Sequence, residues 1–509
     1  MANQTNNSKR IVINTTMLYI RMFVTMAVGL FTSRVVLDVL GVEDFGIYNV
    51  VGGFVAMFAI VRSGLVSSTQ RFITFDLGTG DTQKLRQTFS TIVLIYMVLC
   101  TLVLIMAELG GVWFIESKLT IPAERMDAAR WVFHLSLITL VVTLVSSPYN
   151  ALIIAHERMK AFAYISIYEN FAKLAVAYLI YMTTYDKLVV YAILLCFVQS
   201  TVPILYWAYC RRNFREETNF VWKLNWKKVG EIYSFAGWSM MGGLAHMGFT
   251  QGLNMLLGMF FTPVINAARG VAVQVQGMII QFVSNFQMAV DPQIIKSYVR
   301  GDVSYMAKLV SNSARFSYFM LLFISLPILC EAETLLGWWL VEVPDNTAVF
   351  FRLICISTIF DSISNPYAKA IHATGRIRNY QLLCSTILLI IVPVAYVVLK
   401  LGAPAYSVFI VHIVLAAVAM VCRIIMVEKI LGLTFADFVH HTLFSILTVT
   451  LLSTIAPLAA HFCLSNENFR FFIVGFLSVI SVGLSVYFIG LTNDERNMVM
   501  TKMKSIIKR

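Results

Sequence analysis

Charge is scarce in this 509-residue chain. Asp, Glu, Lys and Arg make up 13% of it, about half the ~25% of an ordinary soluble domain. With 59% apolar residues, the chain lacks the polar surface to cover several water-soluble domains. That excludes a cytosolic enzyme and a nucleic-acid-binding domain. None of the eight cysteines forms a C-x-x-C pair, and nearly all lie in or beside apolar runs. They read as small apolar fillers, which excludes a secreted disulfide scaffold and a thiolate metal site. Catalytic signatures are missing too: there is no H-E-x-x-H, no phosphate-binding loop and no G-x-S-x-G. No stretch between apolar runs is long enough to hold a folded domain. Neither an enzyme nor an ATP-driven pump is expected, and no bound cofactor or metal.

What is present is hydrocarbon. Mean hydropathy is +0.77, and 59% of 509 is about 300 apolar residues, where one spanning helix needs roughly 20. Fourteen apolar segments follow one another, at about 11–36, 46–64, 88–112, 131–155, 162–183, 188–209, 232–261, 264–290, 314–332, 348–370, 380–400, 404–425, 440–463 and 469–490. The expected fold is an all-α polytopic membrane protein of about 14 transmembrane helices. Net charge is +12, and its distribution tests the count. With the N-terminus inside, 27 of the 39 basic residues fall on the inner side, Arg423 among them, and six on the outer side. A wrong count would scramble this alternation downstream of the error. Both termini are therefore expected to be cytoplasmic. The run behind the polar MANQTNNSKR is too long for a signal-peptide core and reads as a retained first span.

Residues 147–160 read SPYNALIIAHERMK and residues 365–378 read NPYAKAIHATGRIR. At a constant offset of 218 they share Pro148/Pro366, Tyr149/Tyr367, Ile153/Ile371, Ala155/Ala373 and Arg158/Arg376, and basic Lys160/Arg378 completes the match. Gly80-Asp81 and Gly301-Asp302 recur at an offset of 221, after the second and eighth segments. A repeat of six spans, an even number, gives two halves pointing the same way across the membrane. This is a parallel-repeat pattern of transporters, with the substrate site expected between the halves. The organisation expected is an N-terminal six-helix bundle (1–209), a cytoplasmic interfacial linker (210–231), a C-terminal six-helix bundle (232–426), and two extra helices with a basic tail (427–509).

Charges inside spans cost several kcal/mol at mid-bilayer and face a cavity or a partner. Arg21 lies about ten residues into the first span, with Asn14, Thr25, Gly29 and Thr32 near the same face. It is a cavity charge or a snorkelling arginine. Lys173 has Glu169 four residues before it, which makes either a neutralised pair or a coupling element. Span seven places Gly243, His246, Thr250, Asn254 and Gly258 at helical spacing. Span eight does so with Gly270, Gln274, Gly277, Gln281 and Asn285, and Arg269 opens it. Such faces either pack helices closely or line a wet, sugar-contacting wall. Asp361 sits in mid-span before Asn365-Pro366. An acid beside a proline-bent helix suits a coupling ion, H+ or Na+, or a helix contact.

The end of span one at Arg34, followed by LGVEDFGIYNVV (residues 40–51), resembles the start of bacterial oligosaccharide-lipid flippases of O-antigen and capsule pathways. These share a superfamily with multidrug extruders and the lipid II flippase. Two six-helix halves plus two extra helices fit the same resemblance along the whole chain. It implies a transporter in the bacterial inner membrane that moves an undecaprenyl-pyrophosphate-linked oligosaccharide from inner to outer leaflet by alternating access. Other polysaccharide-assembly proteins are implied partners. The resemblance also implies basic residues facing the pyrophosphate; Arg21, Arg34 and Arg269 fit by position, and Arg34 alone sits in the motif. The second arginine-rich motif of lipid II flippases is missing, which ranks a peptidoglycan precursor lower. Two alternatives stay open. One is a cation-coupled multidrug extruder of the same superfamily, disfavoured by the extra helices and the surplus of intramembrane Arg and Lys. The other is a membrane-embedded polysaccharide polymerase or ligase, disfavoured by the short outer loops.

Overall fold

In hydrocarbon every backbone amide has to be satisfied within the chain, and among the described residues it is helices that do so. The computed structural model describes residues 2–56, 59–118, 122–222, 225–261, 263–339, 346–432, 434–464, 467–493, 495–497 and 500, and no strand occurs among them. The basic tail, 501–509, lies outside the described residues. Contacts divide the chain into two compact units, Met1–Leu244 and Ala245–Arg509. The division falls inside one helix, where the sequence expectation began the second half at 232.

The first unit holds α1 (Ala2–Ala56), α2 (Ala59–Thr79), α3 (Thr82–Lys118), α4 (Met126–Ala155), α5 (Met159–Leu179), α6 (Lys187–Asn213), the short α7 (Arg215–Thr218) and the start of α8 (Trp226–Phe260). Gly41 breaks α1 with φ 75°, a conformation glycine adopts without a Cβ clash. The second apolar segment of the sequence therefore straddles the end of α1 and the start of α2. Helix α4 is central, packed against α6, α2, α3 and α1. Its Val132, Phe133 and Leu137 are buried with Val51 of α1 and Leu188 of α6.

Two polar ties fasten this unit at its rims. Arg125 reaches Asp44 and, at 2.5 Å, Asp186, the N-cap of α6. Burial works against the Asp186 carboxylate, but the Val189 N–H and the Arg125 guanidinium hold it below the usual carboxylate range. At the other rim, fully buried Asp76 accepts from Thr88 Oγ1 at 2.5 Å and Lys228 Nζ at 2.9 Å, joining α2, α3 and α8. Helices α2 and α8 also approach closely at Gly64: a Cβ there would stand 2.7 Å from the Ala236 carbonyl oxygen. Backbone cannot yield as a flexible side chain can, so Gly64→Leu is expected to cost about 1–3 kcal/mol. A thermal-unfolding comparison in detergent checks this, and an unshifted midpoint would contradict the close approach. The connection into α8 runs over the helix ends. Phe214 stacks on His156 at 3.9 Å, Glu217 meets the same histidine at 2.7 Å, and Trp222 and Trp226 stay exposed.

The second unit holds the rest of α8, then α9 (Pro263–Val299), α10 (Val303–Cys330), α11 (Ala332–Trp339), α12 (Thr347–Thr374), α13 (Arg378–Lys400), α14 (Ser407–Leu431), the short α15 (Phe435–Phe438), α16 (Phe444–Cys463) and α17 (Glu467–Ser485). Helix α12 is central here, against α9, α14 and α10. Its Phe350, Phe351 and Ile354 pack with Leu253, Ala272 and Phe409.

The internal repeat is visible element by element. Shifting Thr82–Lys118 by 221 gives 303–339, the range of α10 and α11 together. Shifting Asn213 by 218 gives Leu431, where α14 ends. Gly80 and Gly301 both take positive φ, 76° and 70°. The aspartates after them cap the next helix alike: Asp81 accepts from Lys84 N at 2.9 Å and Asp302 from Tyr305 N at 3.0 Å. Glu157 and Gly375, 218 apart, both turn the chain with positive φ, 58° and 77°.

Helices α16 and α17 lie outside the repeat and pack on α10. One buried acid holds them at one end. Glu331, 1% exposed, meets Arg470 Nε at 2.9 Å and His461 Nδ1 at 2.7 Å. At the other end Arg315 donates to both oxygens of Glu495 at 2.8 Å.

Ten helices among the described residues are long and apolar enough to cross a membrane. Four more, α2, α5, α8 and α9, have 21, 21, 35 and 37 residues, enough for ~30 Å of hydrocarbon at 1.5 Å per residue. They bring the spans to fourteen. They are less apolar because they carry Arg71 and Asp76, Glu169 and Lys173, His246 and Asn254, and Arg269 with its amides.

Candidate functional site

Helices with polar faces in an apolar bundle turn those faces inward, and in the second unit they enclose a cavity of about 480 Å3. Helix α8 supplies His246 and Thr250, α9 supplies Arg269, Gln276 and Gln287, α12 supplies Thr358 and Asp361, and α14 supplies His412 and Arg423. Arg269 is 5% exposed. Its guanidinium donates to Asn254 Oδ1 and, at 3.2 Å, to the Thr250 carbonyl, and its Nε reaches no partner among the described residues. Gln276 donates to Thr358 Oγ1 at 2.7 Å, and Gln287 to Ser317 Oγ at 3.0 Å and the Ser362 carbonyl at 3.1 Å. Phe249 lies between the two histidines, 4.6 Å from His412 and 6.1 Å from His246. Midway along α12, ahead of Pro366, Asp361 stands 3.5 Å from Arg423 Nη1. Two arginines against one aspartate leave the wall at +1 with both histidines neutral.

Several residues singled out in the sequence converge here: His246, Asn254, Arg269 and Asp361. Others lie elsewhere. Gln274 and Gln281 are exposed and off this wall, and Asn285 is buried, donating to the Gln281 carbonyl of its own helix at 2.8 Å. Most of the α9 lining is one residue away, at Arg269, Val273, Gln276, Ile280 and Gln287, while Gly277 of the expected face lines the cavity too. Arg423 is a correction. Counted above with the inner loops, it sits inside α14, which runs two turns beyond the apolar segment to Leu431. Nothing in the surrounding apolar run marks His412 either.

The first unit carries its own intramembrane charges. Arg21 lays its guanidinium over the Phe162 ring, 4.6 Å from the centroid, within electrostatic reach of Glu169 and Tyr206. Lys173 Nζ and Glu169 Oε1 are 2.6 Å apart. The Gln199 amide, turned to satisfy both, donates to Glu169 at 3.2 Å and accepts from Lys173 at 2.8 Å. Arg34 lies outside the residues whose side chains are described. No group of three or more His, Cys, Asp or Glu that could hold a metal occurs among the described residues.

Repeated six-helix units with a polar cavity among apolar helices define the class, a multi-pass all-α membrane protein built from internal repeats. The chain belongs to the polysaccharide biosynthesis protein family, whose model matches residues 11–298. No curated protein matches it. Solved structures agree on the fold. A structure described as MATE in the bent conformation superposes with TM-score 0.73 at 14% identity, covering 84% of this chain and 96% of that one. The outward-facing conformation of a multidrug resistance MATE family transporter of the MOP superfamily gives 0.69 at 14% identity, covering 82% and 95%. A MOP superfamily transporter from Pyrococcus furiosus, described with a binding pocket of reversed polarity, gives 0.67 at 13% identity, covering 82% and 95%. Family and fold together make this a polysaccharide biosynthesis protein with the fold of those solved transporters.

Proposed function

We propose that the protein flips an undecaprenyl-pyrophosphate-linked oligosaccharide from the inner to the outer leaflet of the bacterial inner membrane. The product would serve O-antigen, capsule or exopolysaccharide assembly. One observation carries the reading: the cavity presents two arginines and several amides against a single acid. A pyrophosphate cannot enter hydrocarbon unpaired, and the arginine fork matches its oxygens in charge and geometry. Glutamine amides and histidines suit hydroxyl-rich sugars. The polyprenyl tail would stay in lipid while the headgroup crosses. Arg21, close to Glu169 and Lys173, would guide the same headgroup within the first unit, with Arg34 at its outer end. H+ is the coupling ion best suited to the acid at Asp361.

The drug-extruder reading has one observation of its own, since Asp361 is half-exposed to the cavity and an acid there would attract a lipophilic cation. The arginines on the same wall repel one. Deletion of the gene separates the readings. A flippase leaves lipid-linked units stranded in the inner leaflet, a polymerase leaves single units exported, and an extruder changes drug tolerance with surface glycan intact.

A further inference from the structure

Asp361 and Arg423 form an unequal pair. The Arg423 side chain is 12% exposed and that of Asp361 is 49% exposed. The contact is long, 3.5 Å, while the same Nη1 donates to Ser364 Oγ at 2.5 Å. Arg423 Nε reaches no partner among the described residues. A buried guanidinium is thus held loosely by a carboxylate that stands mostly in the cavity. We infer that Asp361 is an internal stand-in for substrate phosphate: an entering phosphate takes over Arg423, and Asp361 takes up one proton from solvent as it lets go. This rests on the phosphate-binding reading above and deepens it.

Phosphate oxygens meet an arginine fork at about 2.7–2.9 Å in two parallel bonds, a stronger pairing than one contact at 3.5 Å. Once phosphate holds Arg423, Asp361 has lost its counter-charge and faces an anion within ~4–6 Å, which disfavours the ionised carboxylate. No bond is made or broken except the O–H on the Asp361 carboxyl.

The neighbours leave Asp361 as the group that changes partner. On α14, Arg423 and the more distant His412 act on it, and on α13 Tyr380, which with Cys384 flanks Arg423. Arg269 on α9 and His246 on α8 line the same cavity. Other charges near α12 are already engaged: Lys369 with Asp291 of α9 at 2.7 Å, Arg315 of α10 with Glu495, and Arg352 with Glu333 of α11 at 2.9 Å.

The test is calorimetric titration of inorganic pyrophosphate into the full chain in phosphatidylcholine nanodiscs, in buffers of different ionisation enthalpy between about pH 5 and pH 8. Wild-type protein is expected to take up as much as about one more proton per pyrophosphate than Asp361→Asn, which is isosteric and cannot titrate. Asp361→Asn is expected to bind roughly tenfold more tightly, its competitor for Arg423 being gone, with a flatter pH profile. Asp361→Glu, which keeps the acid, retains the uptake and serves should the asparagine variant fail to fold. Protonation of pyrophosphate or of the histidines is common to all three and cancels. Equal uptake by wild type and Asp361→Asn, or weaker binding by the latter, overturns the inference alone. Absence of binding to wild type overturns the phosphate reading of the cavity and this inference with it.

Discussion

Arg269→Gln stops export of the lipid-linked glycan while the protein stays folded in the membrane. Glutamine keeps most of the length and a donor for Asn254, so the α8–α9 contact loses one partner rather than its packing. What disappears is a fixed charge on the cavity wall. Two charge-assisted hydrogen bonds to a phosphate contribute about 1.5–3 kcal/mol each, so export is expected to fall by roughly 100-fold or more. Arg269→Lys falls between, because it keeps the charge and loses the fork. Surface polysaccharide measured beside the amount of protein in the membrane checks both variants. Unimpaired export by Arg269→Gln would remove this residue from the substrate path.

Glu331→Ala is expected to loosen the α16–α17 pair from the rest of the second unit. The carboxylate is buried beneath Arg470, His461 and Thr334, so its loss leaves a guanidinium and an imidazole without a counter-charge. Breaking a buried pair from one side costs about 3–5 kcal/mol. The contact at the far end, Arg315 with Glu495, and the packing of both helices on α10 would then hold them. Thermal unfolding should shift well down or split into two transitions. The pH dependence carries a sign. Burial opposes ionisation of Glu331, yet His461, Arg470 and Thr334 hold its carboxyl below the usual glutamate range. A carboxyl depressed in the folded state stabilises above its unfolded value, about 4.3, and that stability is lost as pH falls through the lower folded value. Wild-type stability should therefore decline on the acid side more steeply than that of Glu331→Gln. Parallel profiles would place the anchor elsewhere.

The spans were legible in the sequence because hydrocarbon thickness leaves few ways to arrange fourteen apolar runs, and because basic residues mark one side of them. Gly80-Asp81 and Gly301-Asp302 were legible for a local reason, since a positive-φ glycine followed by a capping aspartate is chemistry confined to four residues. The second apolar segment, 46–64, straddles the end of α1 and the start of α2, because apolar content does not reveal the break at Gly41. The cavity was half legible. On α8, His246 lines the cavity and Asn254 accepts from Arg269 of its wall. On α9 two polar faces lie one residue apart, about 100° around the helix, and composition does not choose between Gln274 and Gln276. Arg423 was masked by position: a charge just inside the end of an apolar run reads as a loop residue until the helix is seen to continue. Glu331, His461 and Arg470 meet across 130 and 139 residues, and no spacing rule reaches that far.

Movement of an anionic lipid-linked glycan past a basic wall, the proposed function, is read out with purified protein in liposomes loaded on one leaflet with undecaprenyl-pyrophosphate oligosaccharide, headgroup accessibility being followed over time. Wild-type protein is predicted to equilibrate the glycan between leaflets, Arg269→Gln to leave it where it was placed, and neither to move a lipophilic cation. Cation movement with a stationary glycan would contradict the account.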